Sequence, residues 1–185
     1  VKAPSPALVR WAGLAERAVS GLGSAVSWLS LAMVLATATV VILRYFFDAG
    51  WIWMQETVTW MHAAVFMLAA GYTLALDEHV RVDIFYRKLS GRGRLFVDVF
   101  GVALLLLPTC LMILVNAWDY VAGSWAIGES SPEAGGLPGL FLLKTLIVVT
   151  PVLLILEGIA FVVRRWLQLA TGEDGERPAD EPGSV

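Results

Sequence analysis

The chain reads as an all-α integral membrane protein of four spanning helices, and three observations predict it. Of its 185 residues, 58% are hydrophobic and 16% charged, with a mean hydropathy of +0.73, too little charge to coat a soluble domain. Four runs, Ala18–Leu43, Thr57–Leu76, Val99–Trp118 and Thr145–Val163, carry no acid or base apart from Glu157. Each reaches the ~20 residues that a helix rising about 1.5 Å per residue needs to cross an apolar layer of ~30 Å. Finally, eleven of the 13 basic residues fall before the first run, between the second and third, or after the fourth, leaving only Arg44 and Lys144 elsewhere. By the positive-inside rule both termini are expected to be cytoplasmic.

Residues 1–20 form the expected cytoplasmic N-terminal segment. Leu8, Trp11, Leu14 and Ala18 recur at helical spacing away from Arg10 and Arg17, as in a helix lying in the interface. Basic residues, an apolar stretch and Ala36-Thr37-Ala38 also resemble a secretory signal, but the apolar run continues unbroken to Leu43, longer than a signal core. A four-span domain is expected over 21–169, with spans near 21–46, 53–77, 96–120 and 139–165.

The connection Tyr45 to Trp53 is short, so the first two helices should form an antiparallel hairpin. Arg44 and Glu56 stand on either side of it, where an ion pair would pin the hairpin. Contact with a partner protein or substrate is the alternative. On the second span Glu56, Thr59, Ala63, Ala70 and Asp77 share a broad small and polar stripe bordered by His62 and Thr73, a pattern expected to face protein. His62 fits helix packing, with a proton relay as the sharper alternative.

After the second span, Val82, Phe85 and Leu89 share a face while Arg87 and Lys88 reach water or lipid phosphate, which suggests a second short interfacial helix. Ser90-Gly91-Arg92-Gly93 should then turn the chain into the third span. That span holds the one cysteine, Cys110, so no intrachain disulfide or thiolate metal cluster is possible. Between Asp119 and Leu137 the composition shifts to Gly, Ser, Glu and Pro, a turn-rich outer loop and candidate docking surface. In the fourth span Pro151 should kink the helix, Lys144 can snorkel outward, and the deeper Glu157 should face the bundle, a partner subunit or water. Residues 170–185 mix acids with Gly and Pro without apolar period, as a disordered cytoplasmic tail does.

Eight tryptophans agree with this arrangement, since Trp51, Trp53, Trp118 and Trp125 gather at outer ends, and Trp28 and Trp166 near cytoplasmic ones, where indole is half buried with its N–H near water.

Catalytic and cofactor chemistry have little support. There is no G-x-S-x-G, Gly-rich phosphate loop or H-E-x-x-H. His62 and His79 lie 17 residues apart, about 25 Å on one helix and too far to share one haem iron. No basic block is free of the membrane to bind nucleic acid. An inverted repeat with two interrupted helices, frequent in complete secondary transporters, is missing too. The reading is therefore a non-enzyme without cofactor or metal, and a subunit.

Arg44-Tyr-Phe-Phe47, Trp53-Met-Gln-Glu56, Gly71, and His79-Val-Arg-Val-Asp83 together resemble the small membrane subunit, of DctQ type, of tripartite ATP-independent periplasmic (TRAP) transporters. The likeness runs from about Gly21 to Gln168. The stretch Glu129 to Leu143 resembles the subgroup associated with mannitol or chloroaromatic compounds. The resemblance implies a bacterial inner-membrane scaffold that accompanies a large DctM-type membrane subunit. It also implies a periplasmic DctP-type protein delivering an organic acid, and uptake driven by an ion gradient, usually sodium. Arg44, Trp53, Glu56, His79, Arg81 and Asp83 match the family pattern and would take structural or subunit-contact roles, as would Lys144 and Glu157. Many members carry two adjacent acids where this chain has Gln55-Glu56, which puts a paired-carboxylate role in doubt. Partner contacts are expected through Ala32/Ala36 and Gly71/Ala75, with lipid around the rest. The rival reading is a self-sufficient homodimeric exporter using Glu56 or Glu157 as its proton-coupled carboxylate.

Overall fold

The computed structural model of the chain describes residues 4–77, 86 and 89–172. His79, Arg81 and Asp83, most of the expected second interfacial helix and the acidic tail lie outside the described residues. Four helices carry the architecture: α1 Pro6–Phe47, α2 Ile52–Ala75, α3 Gly91–Ile127 and α4 Leu140–Thr171. All four are long and apolar enough to cross a membrane, and no strand occurs among the described residues. The protein is a multi-pass, all-α membrane protein.

α1 starts on Pro6, whose fixed φ and missing N–H suit a first turn, and runs without a break for 42 residues. The interfacial helix expected before the first span is therefore not a separate element. Another face of this start meets protein: Ala12 is buried with Ala160 and Val163 of α4, and Trp11 and Ala15 pack against them, whereas Leu8 and Ala18 of the expected apolar face are exposed. Leu14 remains 65% exposed. The helix ends where Asp48 takes a left-handed conformation (φ 49°) and the Asp48 and Ala49 amides donate to the Leu43 carbonyl. That conformation is open to Asp at modest cost, and it makes the tight return into α2.

α1 and α2 pack along each other as the short connection requires, and α4 packs against both. α3 lies along α4, so α4 is the shared neighbour of the other three. Gly23 permits the closest approach in the hairpin, because a Cβ there would sit inside the Tyr72 ring. Gly71 lies where α1, α2 and α4 converge. A Cβ on it would be 3.4 Å from Leu153 and 3.6 Å from Val19. Gly71 therefore serves the chain's own core and is not the outward partner face expected from sequence.

α3 is not uniformly α-helical. Ser90 caps its start by accepting from the Gly93 amide at 3.3 Å, so Gly91 and Gly93 lie inside the first turn rather than in a preceding loop. Gly101–Leu106 is π-helical, and the Leu107 amide reaches back five residues to the Val102 carbonyl. Pro108 follows in the next turn and has no N–H to continue the regular ladder. The widened turn seats on α4 at Gly158, where a Cβ would stand 3.1 Å from Leu106 and 3.5 Å from Val102.

Most large apolar side chains point away from these contacts. Trp28, Tyr45, Phe46, Phe66, Phe96 and Val115 are each more than 70% exposed, which in water would be untenable and in lipid needs no cover.

Candidate functional site

Two sets of polar side chains, one at each end of the bundle, hold the helices in place. At the end that carries the first turns of α1 and the last turns of α4, the adjacent Arg164 and Arg165 serve different neighbours. Arg164 donates to Glu157 at 2.5 Å and lies 3.5 Å from Glu16 of α1. Glu157 is completely buried, and its other oxygen has no hydrogen-bond partner among the described residues. Arg165 pairs with Asp77 at the end of α2, lies 3.5 Å from Asp98 of α3, and covers the Phe161 ring at 5.2 Å. Tyr86 adds a 2.8 Å hydrogen bond to the same Asp98 carboxylate. One pair of side chains thus joins α4 to all three other helices.

At the opposite end the α3–α4 loop folds onto α2. Gly128 ends α3 in the left-handed region (φ 58°), and Ser131 and Leu137 close the loop through a 3.0 Å backbone hydrogen bond. Glu56 takes the donors this turn presents: the Ser131 hydroxyl donates to one oxygen, and the Leu137 amide to the other at 2.6 Å. Gly136 lies so near that a Cβ would stand 2.8 Å from the same carboxylate. Beside this cradle Lys144 donates to Glu129 at 2.5 Å, and Ser124 donates to the same oxygen at 2.6 Å. Lys144 and Ser124 hold the Glu129 carboxyl below its ordinary value. Lys144 also sits 4.1 Å from the centre of the Tyr120 ring, and Trp125 donates to Thr145 at 2.9 Å.

The sequence-derived residues distribute unevenly over these sets. Glu56, Lys144 and Glu157 are members. Arg44 is exposed and makes no ion pair among the described residues, so the expected Arg44–Glu56 pin does not form; the α3–α4 loop occupies Glu56 instead. Trp53 is 46% exposed at the start of α2. Arg164, Arg165, Asp98, Glu129 and Ser131 were missed as site residues. The arginines registered only as topology signals, and nothing in sequence ties Ser131 to a carboxylate 75 positions earlier. On α2, Ala63, Ala70 and Asp77 are at least partly buried, but Thr59 and His62 are exposed, so the expected stripe does not face this chain's own core as a unit.

Such an arrangement braces helices. No group of three His, Cys, Asp or Glu side chains among the described residues is placed to hold a metal ion. The family described as "Tripartite ATP-independent periplasmic transporters, DctQ component" matches residues 33–168, most of the chain. The chain belongs to the DctQ family. It is 28% identical over 89 residues to the C4-dicarboxylate TRAP transporter small permease protein DctQ of Vibrio cholerae serotype O1 (strain ATCC 39315 / El Tor Inaba N16961). That match covers 48% of this chain and 38% of the Vibrio protein. No solved structure matches the chain. Within the DctQ match lie α2, α3, nearly all of α4 and about the last third of α1, and so both polar sets apart from Glu16.

Proposed function

We propose that this DctQ-family chain is the non-catalytic membrane scaffold of a three-part importer. It braces a large membrane subunit whose uptake of an organic acid, delivered by a periplasmic binding protein, is driven by an ion gradient. The observation that carries the reading is where the ionic groups of the two polar sets go. Glu56, Asp77, Asp98, Glu129, Lys144, Arg164 and Arg165 each bind another element of the chain at a bundle end, and Glu157 is held within α4 by Arg164. A coupling or substrate site needs groups free to exchange partners in the middle of the membrane.

The dicarboxylate in the name of the Vibrio relative supports an organic acid as cargo. The distribution of basic residues supports termini in the cytoplasm and the α3–α4 loop on the periplasmic side of the inner membrane. We place the functional domain at 21–169 and assign structural or subunit-contact roles to Arg44, Trp53, His79, Arg81 and Asp83 within it. The homodimeric exporter gains nothing from Glu56, which is occupied by the loop, or from Glu157, which faces Arg164.

The test is purification of the tagged chain from its native membranes in mild detergent, with intact mass analysis, followed by reconstitution. A larger multi-span protein in stoichiometric amount, and uptake only with both present, is the expected result. Ion-coupled transport by this chain alone would overturn the scaffold reading.

A further inference from the structure

α3 belongs to both polar sets and meets α4 in each. At one end Asp98 lies 3.5 Å from Arg165, farther along Val102 and Leu106 close on Gly158, and at the other end Trp125 donates to Thr145 at 2.9 Å. Between Leu106 and Trp125 the buried residues of α3 are Cys110, Val121 and Ser124. A regular α-helix would not bring these groups to one side. Asp98 and Cys110 are 12 residues apart and Asp98 and Val121 are 23 apart, which at ~100° per residue sets them about 120° and about 140° apart around the axis. The outward side has the same discrepancy: Phe100 and Met112, also 12 residues apart, are both more than half exposed.

Three turns of α-helix take about 11 residues, so each of these intervals holds one residue too many. From Cys110 onward the spacing is regular, since Val121 follows 11 residues later. The surplus therefore lies between Phe100 and Cys110. That interval contains the π-helical Gly101–Leu106, where the Leu107 amide reaches back to the Val102 carbonyl; a turn closed over five residues instead of four takes in about one residue more. With one residue discounted, Asp98, Cys110, Val121 and Ser124 fall within about 60° of one another.

We propose that the wide turn is a register device. It absorbs a surplus residue, and so lets one helix hold Arg165 through Asp98 at one end of the bundle and Thr145 through Trp125 at the other. Closed as an α turn with the same sequence, α3 would swing Asp98 about 100° off Arg165 whenever its outer half kept its seat. Pro108, in the next turn, has no N–H to give to a regular ladder, and Gly158 leaves room on α4 for the widened backbone and its Val102 and Leu106 side chains.

The experiment reads both ends of α3 in the full chain in its native membranes. In a Cys110→Ala background, one chain carries Asp98→Cys with Arg165→Cys and another carries Trp125→Cys with Thr145→Cys. A short bifunctional thiol reagent joins each pair, and the linked peptides are identified by mass. Leu104 and Leu105 lie in the wide turn and are exposed, so removing either takes away the surplus residue without taking a contact from the bundle. Both pairs are expected to cross-link in the single-deletion chains as they do in the undeleted one. Deleting Leu104 and Leu105 together removes a residue the helix needs, turns one end by about 100° relative to the other, and is expected to abolish one of the two cross-links. Loss of a cross-link in both single-deletion chains, whether by rotation or by misfolding, would overturn the proposal, and so would retention of both cross-links after the double deletion.

Discussion

Arg164 and Arg165 are consecutive residues whose guanidinium groups bind different helices: the first lies against Glu157 and against Glu16 of α1, the second against Asp77 of α2 and Asp98 of α3. Successive residues of a helix point about 100° apart, which lets two neighbours on α4 serve separate seams. The bundle's arrangement at this end depends on two positions.

Removing Arg165 leaves the partly buried Asp77 and Asp98 carboxylates without their common cation. Arg165→Met is expected to destabilise the detergent-solubilised chain by roughly 3 kcal/mol, as loss of one partner of a buried pair does. Asp77→Asn in the same background should cost less than it does alone. A double-mutant cycle on unfolding reads the coupling, and strict additivity would show that the pair contributes nothing.

At Gly23 the space for a side chain is taken by the Tyr72 ring. Gly23→Leu should therefore force the α1–α2 hairpin apart at a cost of about 1–3 kcal/mol, and Tyr72→Ala in the same chain should recover part of it. Thermal unfolding followed by circular dichroism would measure both, and an undisturbed Gly23→Leu protein would contradict the close approach.

For the loop, the carboxylate of Glu56 is the acceptor that matters. Glu56→Ala removes the partner of the Leu137 amide, and hydrogen exchange at that amide should accelerate about tenfold or more, the equivalent of a bond to a charged group. The amides at the start of α3 lie at the other end of the bundle and should be unaffected.

Glu129 gives the loop a pH dependence whose sign is fixed. Lys144 and Ser124 lower its folded-state pKa from the ordinary 4.5, so the stabilisation is complete above that value and disappears as pH falls through the lowered one. Above pH 4.5 the native chain should be more stable than Glu129→Gln, and the two stability curves should converge in more acidic solution. A constant offset at all pH values would rule out the ionised Glu129 as its source.

Much of the fold was legible because the solvent imposes it. Length and the absence of charge mark a span whatever it packs against, and all four spans correspond to helices. The packing faces were less legible, because a helix in lipid meets apolar surroundings on its outer side as well as its inner one, and the periodicity that orients a helix in water loses its contrast. Gly71 marks a close approach in the sequence and in the structure, but the elements that approach it are α1 and α4 of the same chain. The Arg44–Glu56 pairing failed differently: proximity across the short turn suggested it, while the donors that reached Glu56 come from Ser131 and Leu137, far away in sequence. The amphipathic start of the first helix has the pattern of a separate interfacial segment, and the α4 surface around Ala160, on which Ala12 packs, is not visible in the local sequence.

The position of α4 also bears on how the protein is made. Among the four helices it is the last to leave the ribosome, yet α1, α2 and α3 all rest on it. The α1–α2 hairpin can close while synthesis continues, but α3 waits in the membrane without its main neighbour, and Asp77 and Asp98 without Arg165, until the final span arrives. Assembly of the native bundle is therefore a post-insertion event, and a chain stopped before Leu140 would present three helices lacking the surface and the arginines of α4 to membrane quality control.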